Sequence, residues 1–348
     1  MINVLVVEDS PVVRDFLIHV LSSDVALQVI GAAGDGEEAV RAARDRRPDV
    51  ITMDIHMPKM DGFAATRQIM ETFPVPIVIV SGSSTTNEIA TTFRALEAGA
   101  LAVVRRPAAI GHPEHESTSK ELIQTVRLMA EVKVVKRWPR SSGDISLPSA
   151  AKLEMGRLSA RPEIVAIGAS TGGPVVLETI LSMLPRDFSV PILIVQHMAT
   201  GFVEGFVKWL TASSRLPVHM AAHGDRLQAG HVYVAPDGFH MGVQADGRIL
   251  LTREEPENGL RPSVSHLFRS VARVYGQNAV GVLLTGMGED GAEELRRMRQ
   301  LGAVTIAQDE ESSVVYGMPG KATRIGAATY ILPPEKIADA LITVAKNR

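Results

Sequence analysis

Ser170, His197 and Asp290 have the side-chain types of an acyl-transfer enzyme, and each follows a short apolar run. Ile164 to Ile167 lead into Gly168-Ala169-Ser170-Thr171-Gly172, a turn of the G-x-S-x-G kind, with a helix opening at Pro174. Small neighbours let the backbone bend sharply and expose the Ser170 hydroxyl near the positive end of that helix. A bare hydroxyl is a poor nucleophile, so the reading requires a base and an orienting acid downstream. His197 closes the next apolar run, Pro191 to Gln196, and is the candidate base. Asp290 sits in Leu283-Leu-Thr-Gly-Met-Gly-Glu-Asp290-Gly291, a third strand running into a glycine-rich turn and a helix. It is the candidate acid, with Glu289 as its competitor.

In a parallel sheet such strand ends share one edge. Ser170 would attack a carbonyl, His197 would take its proton and return it, and Asp290 would fix the imidazole tautomer. Backbone N–H groups at Thr171 and Met287 would hold the oxyanion. The order Ser…His…Asp differs from the Ser…Asp…His order of the α/β-hydrolases. Plainer readings compete. Ser170 or Thr171 could cap the helix that follows, Asp290 could cap the helix over 292–299, and His197 could be structural. A strand, a glycine-rich turn and a helix also describe a dinucleotide site, but Gln196-His197 stands where a ribose-binding acid would be expected.

A second set of residues points to phosphoryl chemistry. Glu8 and Asp9 follow the first apolar run, Asp54 ends another, Ser81 ends a fourth, and Arg106-Pro107 follow a fifth. Carboxylates gathered at one sheet edge repel one another unless a cation joins them, and oxygen ligands of this kind suit Mg²⁺. Asp54 beside a metal can accept a phosphoryl group.

The elements that must position these residues follow from periodicity. Apolar strands at Val4–Val7, Val29–Ala33, Val50–Met53, Ile77–Val80 and Ala102–Val104 alternate with amphipathic helices such as the one carrying Val12, Val13, Phe16, Leu17, Val20 and Leu21. Alternation of this kind predicts a five-stranded parallel sheet between helices. Residues 118–137 read as one more helix. Residues 138–161, rich in Pro, Ser and Gly, read as a linker. From residue 162 to 348 strands and helices alternate again, at Ile192–Val195, Val232–Val234, Ile249–Leu251, Ala279–Leu284 and Ala303–Ala307, with a hairpin-like insertion about Gly247. A second, doubly wound and mostly parallel α/β domain is expected there.

Composition bounds the remaining possibilities. The 348 residues, 45% hydrophobic, suffice for two cores. A net charge of −3 with no Lys/Arg-rich block gives no reason to expect nucleic-acid binding. The absence of cysteine excludes disulfides, thiolate metal sites and a cysteine nucleophile. Met1-Ile-Asn-Val-Leu-Val-Val reads as a strand rather than a secretion signal, and no apolar run approaches the length of a membrane span. A soluble cytoplasmic monomer is expected. His219 and His223 have metal-pair spacing, but Leu216-Pro217-Val218 reads as strand or loop and no third ligand stands out. The methionines read as core filler.

Glu8-Asp9-Ser10, Met53-Asp54-Ile-His-Met-Pro58-Lys-Met-Asp61-Gly62, Ser81-Gly82 and the basic residue before Pro107 resemble a response-regulator receiver domain of flavodoxin-like fold. The resemblance implies Asp54 as phosphoacceptor, Glu8, Asp9 and Asp54 as Mg²⁺ ligands, Ser81 and Arg106 as phosphate contacts, and a histidine kinase as phosphodonor. Two departures stand out. Receivers usually carry Lys where this chain has Arg106, a planar fork rather than a compact ammonium. They also usually carry a switching aromatic near Val103.

Gly168-Ala-Ser170-Thr-Gly-Gly-Pro174, Gln196-His197-Met198, Ala235-Pro236-Asp-Gly-Phe-His240-Met241, Arg261-Pro-Ser263-Val264 and Thr285-Gly-Met-Gly-Glu-Asp290-Gly291 resemble the chemotaxis protein-glutamate methylesterase (CheB) family. With the receiver, the resemblance spans nearly the whole chain. It implies hydrolysis of glutamate methyl esters on chemoreceptors, deamidation of receptor glutamines, an acyl-Ser170 intermediate, and no cofactor for the esterase step. It also suggests Arg261-Pro262-Ser263 as a substrate-contacting loop. An unphosphorylated receiver over residues 1–137 would cover the Ser170 cleft until Asp54 is phosphorylated. The rivals are a nucleotide-dependent oxidoreductase and a non-catalytic regulator that acts by docking. A DNA-binding output is disfavoured because the second domain is too large and strand-rich for a helix-turn-helix module.

Overall fold

A computed structural model describes residues 1–82, 86–132, 134 and 162–346. The linker expected at 138–161 lies outside the described residues. The chain divides into two compact units, Met1–Asp144 and Ile145–Arg348.

In the first unit, strands and helices alternate in the order β1 (Ile2–Val7), α1 (Pro11–Ser22), β2 (Leu27–Ala33), α2 (Gly36–Arg46), β3 (Val50–Met53), α3 (Gly62–Thr72), β4 (Ile77–Ser81), α4 (Thr86–Glu97), β5 (Ala102–Arg105) and α5 (His115–Ala130). The five strands are parallel in the order β2-β1-β3-β4-β5. The strand order reverses between β1 and β3, and their C-terminal ends frame a crevice there. The strands read as apolar runs because both sheet faces are covered; Val50 to Met53 and Ile77 to Ser81 are all buried. Helix α5 starts three residues earlier than the expected 118 and ends at Ala130. Its first turn is held by the His115 ring on the Ala108 carbonyl (2.7 Å) and by the Thr118 hydroxyl on the Ala108 amide (3.1 Å), contacts that helical periodicity does not reveal. Of its expected C-terminal end, residues 133 and 135–137 lie outside the described residues.

The second unit contains β6 (Ile164–Ala169), α6 (Gly173–Met183), β7 (Ile192–Gln196), α7 (Val203–Ser213), β8 (Val218–Met220), β9 (Val232–Val234), β10 (His240–Val243), β11 (Ile249–Thr252), α8 (Val264–Tyr275), β12 (Ala279–Leu283), α9 (Ala292–Gln300), β13 (Val304–Gln308), α10 (Met318–Arg324), β14 (Tyr330–Leu332) and α11 (Pro334–Lys346). Seven strands form a parallel sheet in the order β14-β13-β12-β6-β7-β9-β8. The insertion about Gly247 is an antiparallel hairpin, β10 with β11, paired apart from that sheet. The edge strands β8 and β14 are not among the strands read from periodicity; unlike β9, which is equally short, neither is a continuous buried run. One buried cluster joins the sheet to the hairpin and to α8, α9 and α10, with Phe268, Leu267, Val271, Leu295 and Met298 at its centre.

Three central strands set the edge where the candidate site lies. β6 pairs with β7 up to Ala169 opposite Gln196, and with β12 up to Gly168 opposite Leu283. The ladder continues past the strand ends: His197 N–H donates to Ala169, and Ser170 N–H donates to the Thr285 carbonyl (3.0 Å). Helix α8 lies directly on β6. A Cβ at Gly168 would come within 2.2 Å of Val264 Cγ1, so the first glycine of the G-x-S-x-G turn is a packing requirement. Gly168→Ala is therefore expected to destabilise the second unit by about 1–3 kcal/mol; urea denaturation followed by circular dichroism checks this.

Candidate active site and acidic pocket

Ser170 is partly exposed between β6 and α6. The N-cap of α6 is Gly172, in a left-handed conformation and without a side-chain cap bond, so neither Ser170 nor Thr171 is used as a cap. Gln196, buried at the end of β7, donates from Nε2 to the carbonyls of Ser170 and His197, both at 2.8 Å. It thus ties the Ser170 turn to the His197 turn. That position is the one a ribose-binding acid would hold, and its side chain is committed to the two turns. Thr285, fully buried, extends the frame from β12 with its hydroxyl on the Thr171 carbonyl (3.0 Å). Among the described residues, neither the Thr171 nor the Met287 N–H donates to a protein acceptor.

His197 and Asp290 meet. His197 Nε2 lies 3.0 Å from Asp290 Oδ2, both side chains nearly buried, with the ring N–H off the straight line of an ideal hydrogen bond. Nε2 faces the acid, which leaves Nδ1 as the basic nitrogen. No hydrogen bond joins the Ser170 hydroxyl to the ring among the described residues. The two residues are neighbours across adjacent strands, and such contacts tighten when substrate binds.

Asp290 does not cap the helix it precedes. The N-cap of α9 is Gly291, and the Asp290 carboxylate crosses instead to the start of α8. There it accepts from Ser263 Oγ (3.0 Å), Val264 N (2.7 Å) and Ser265 N (3.0 Å). Burial alone would raise its pKa. Contact with His197 and the bonds from Ser265 outweigh this and bring it down to about 2. A carboxylate depressed in this way adds stability above its unfolded pKa, and that stability is lost as pH falls through the folded value. The competing acid, Glu289, is exposed and paired with Lys321 at 2.8 Å, so it is set aside.

His219 Nε2 meets His231 Nδ1 at 2.9 Å, because β8 and β9 lie side by side. The His223 ring instead accepts from the Leu251 amide. Within the Arg261-Pro262-Ser263 segment the exposed and buried residues part. Arg261 turns back onto the carbonyls of Arg253 and Glu254, and Ser263 is fully buried against Asp290. Gln196, Thr285, Ser263 and Ser265 are the site residues whose part sequence reasoning missed. Ser263 before the amphipathic run Val264, Leu267, Phe268 and Val271 carries an N-cap signal, but nothing in the chain announces an acid arriving from another strand.

In the first unit, ligand oxygens of Glu8, Asp9 and Asp54 all lie within 4.8 Å of one another. They line an open cavity of about 390 Å³ with Ser10, Val13, His56, Gly82 and Arg106. Burial, then repulsion from Asp54, pushes Glu8 up to about 7. Burial also raises Asp54, against the opposing pull of the Ile55 amide and Arg106. Arg106 Nη2 lies 3.2 Å from Glu8 and 3.8 Å from Asp54. The larger guanidinium fits because residue 82 is glycine; a Cβ there would lie 2.9 Å from Arg106 Cζ. Ser81 does not line this cavity, and its hydroxyl lies 3.4 Å from Thr92 Oγ1. The donor set fits a divalent cation: three carboxylates, two of them buried and held partly against ionisation.

Because a cation must displace the Glu8 proton, affinity for Mg²⁺ is expected to rise between pH 6 and 8 and to level off above a pKa of about 7. Calorimetry in two buffers of different ionisation enthalpy would show proton release below that value. Arg106→Met, which removes the competing cation, is expected to tighten Mg²⁺ about tenfold, the equivalent of roughly 1.4 kcal/mol.

The comparisons agree with this geometry. The family model described as CheB methylesterase matches residues 165–341, and that of the response regulator receiver domain matches residues 4–112. The chain is 61% identical over 348 residues to a protein-glutamate methylesterase/protein-glutamine glutaminase of Nitrosospira multiformis, covering 100% of this chain and 98% of that one. It is 58% identical to a relative of the same description from Geobacter metallireducens, with both chains fully covered. The crystal structure of the Thermotoga maritima CheB methylesterase catalytic domain superposes with a TM-score of 0.51 at 39% identity, covering 53% of this chain and 98% of that one. A five-stranded receiver fold, an all-parallel catalytic sheet and full-length identity of this order place the chain in the CheB methylesterase family, with a response-regulator receiver domain at its N-terminus.

Proposed function

We propose that this protein hydrolyses glutamate methyl esters on chemoreceptors and deamidates receptor glutamines, under control of its receiver. The observation that carries the reading is the buried His197–Asp290 contact beside the Ser170 turn. It occurs in a chain whose relatives are named for both activities.

Ser170 Oγ attacks the ester carbonyl while His197 Nδ1 takes the hydroxyl proton. Asp290 stays ionised, holds Nε2–H and stabilises the imidazolium. The Thr171 and Met287 amides face the oxyanion of the tetrahedral intermediate. Collapse expels methanol, which leaves with the proton from His197, and forms acyl-Ser170. Water, deprotonated by His197, then releases the glutamate carboxylate and restores Ser170. With glutamine, ammonia leaves in place of methanol, and no cofactor enters either route.

The receiver occupies residues 1–137, the linker 138–161 and the catalytic domain 162–348. Asp54 accepts a phosphoryl group from a histidine kinase. Glu8, Asp9 and Asp54 would hold Mg²⁺, which supplies positive charge against the phosphoryl oxygens. Arg106 adds a second cation, and Ser81 contacts the phosphate after its hydroxyl turns from Thr92. Phosphorylation relieves a restraint that the receiver places on catalysis. No helix among the described residues is long and apolar enough to cross a membrane; the reading places a monomer in the cytoplasm, acting on the cytoplasmic helices of its receptors.

Methanol release from methylated receptor membranes tests this reading. Wild type should release methanol and Ser170→Ala should lose at least about 10³-fold in rate. A small phosphodonor, or deletion of residues 1–137, should raise the wild-type rate. Release by Ser170→Ala at the wild-type rate would remove Ser170 from the mechanism. A folded deletion fragment no faster than the full chain would remove the restraint.

A further inference from the structure

We infer that Ser263 is a positioning residue for this reaction: its hydroxyl, with the first two amides of α8, keeps Asp290 turned so that Oδ2 faces the His197 ring. The inference rests on the hydrolase reading above. The Arg261-Pro262-Ser263 segment, on this view, acts from beneath the catalytic edge rather than on the substrate.

A carboxylate has two equivalent oxygens, and rotation about its last bond exchanges them. Fixed donors remove that freedom. Asp290 Oδ1 accepts from Ser263 Oγ and Ser265 N, both at 3.0 Å, while Oδ2 accepts from Val264 N at 2.7 Å and faces His197. The grip is reciprocal. Gly291 N–H, the residue after Asp290, donates to Ser265 Oγ at 2.9 Å. The turn after β12 and the first turn of α8 therefore hold each other at two points, and Gly291 at φ 85° lets the chain enter α9 directly afterwards.

Ser263 has one hydroxyl proton and two carboxylates within reach. Asp290 Oδ1 is at 3.0 Å and Glu257 Oε2 at 3.5 Å. Glu257 is paired with Arg269, which also reaches Glu294 at 3.3 Å, and lies 3.5 Å from His266 Nδ1. The cation satisfies Glu257, so the proton stays on the shorter path to Asp290. The His266 amide donates to Ser263 Oγ at 3.3 Å, which fixes a lone pair and aims the hydroxyl. Two amides alone would leave Oδ1 with a single donor and free the carboxylate to rock. Misplacement of about 1 Å in a catalytic group can cost about 10²-fold in rate.

The test uses the full chain carrying Ser263→Ala and Ser263→Thr, with folding followed by circular dichroism. Two readouts are taken: methanol release, resolved into kcat and KM, and ¹⁵N NMR of the His197 ring. Ser263→Ala should lower kcat about ten- to a hundredfold with KM within about twofold, the pattern of an interaction that acts in the transition state. Ser263→Thr should restore most of kcat. The ring should pass from one Nε2–H tautomer in wild type to a mixture in Ser263→Ala. Where Ser263→Ala does not fold, Ser263→Cys keeps the volume and replaces a strong donor with a weak one, with the same expectations. A folded Ala or Cys variant with wild-type kcat, or with an unchanged tautomer, overturns the inference. A wild type that releases no methanol overturns the hydrolase reading instead, while the tautomer comparison still tests the grip on Asp290.

Discussion

Asp290 is buried and ionised, and a buried charge without partners would cost several kcal/mol. The catalytic edge is organised around meeting that demand. The carboxylate leaves the turn after β12, crosses to the start of α8, and takes up amides that a helix end must otherwise leave unpaired. One contact thus solves two problems. It satisfies the first turn of α8, and it supplies the positive end of a helix to an acid that must not take up a proton. Ser170 and His197 then lie one and two strands away, tied to each other through the Gln196 amide. The central strand β6, the close seat of α8 on Gly168 and the glycine-rich turn at 285–291 all serve this meeting of helix start and strand end.

The two acidic centres of the molecule differ in electrostatic sense. Asp290 has its donors built in, and its pKa falls to about 2. Glu8 is equally buried, but faces Asp54 with too little positive charge, and its pKa rises to about 7. The first is a finished anion site that orients a neighbour. The second holds charge in reserve, and a cation or a phosphoryl group changes its state sharply. Arg106 softens that imbalance, reaching Glu8 and Asp54 at 3.2 and 3.8 Å across Gly82. A Lys ammonium at this position would be a point charge. The guanidinium spreads its charge across the mouth of the pocket and leaves its own buried Nε without a partner.

Much of this was legible along the chain. Ser170, His197 and Asp290 each end an apolar run, and a parallel sheet brings such ends together whatever the intervening sequence. The strands could be read because parallel strands buried on both faces are nearly continuous apolar runs. Short edge strands escaped; Val218–Met220 and Tyr330–Leu332 are held by one neighbour each and are partly exposed, so neither reads as a continuous apolar run. Asp290 invited an N-cap reading for the helix after it. It does cap a helix, but α8, which precedes it in sequence, and no local pattern reports that choice. His219 and His223 have helical metal-pair spacing in a stretch that reads as strand or loop, and strand pairing joins His219 to His231.

Residue types and strand order were enough to determine the fold class and the family, and to name Ser170, His197, Asp290 and the acidic pocket as candidates, because these depend on local periodicity and on which groups can carry the chemistry. Tertiary structure alone decided which nitrogen of His197 faces Asp290, that Glu289 is a surface ion pair, and that Ser263 is buried against Asp290. Each of those outcomes depends on atoms tens of residues apart approaching to about 3 Å, which tertiary packing sets and no single stretch of chain carries.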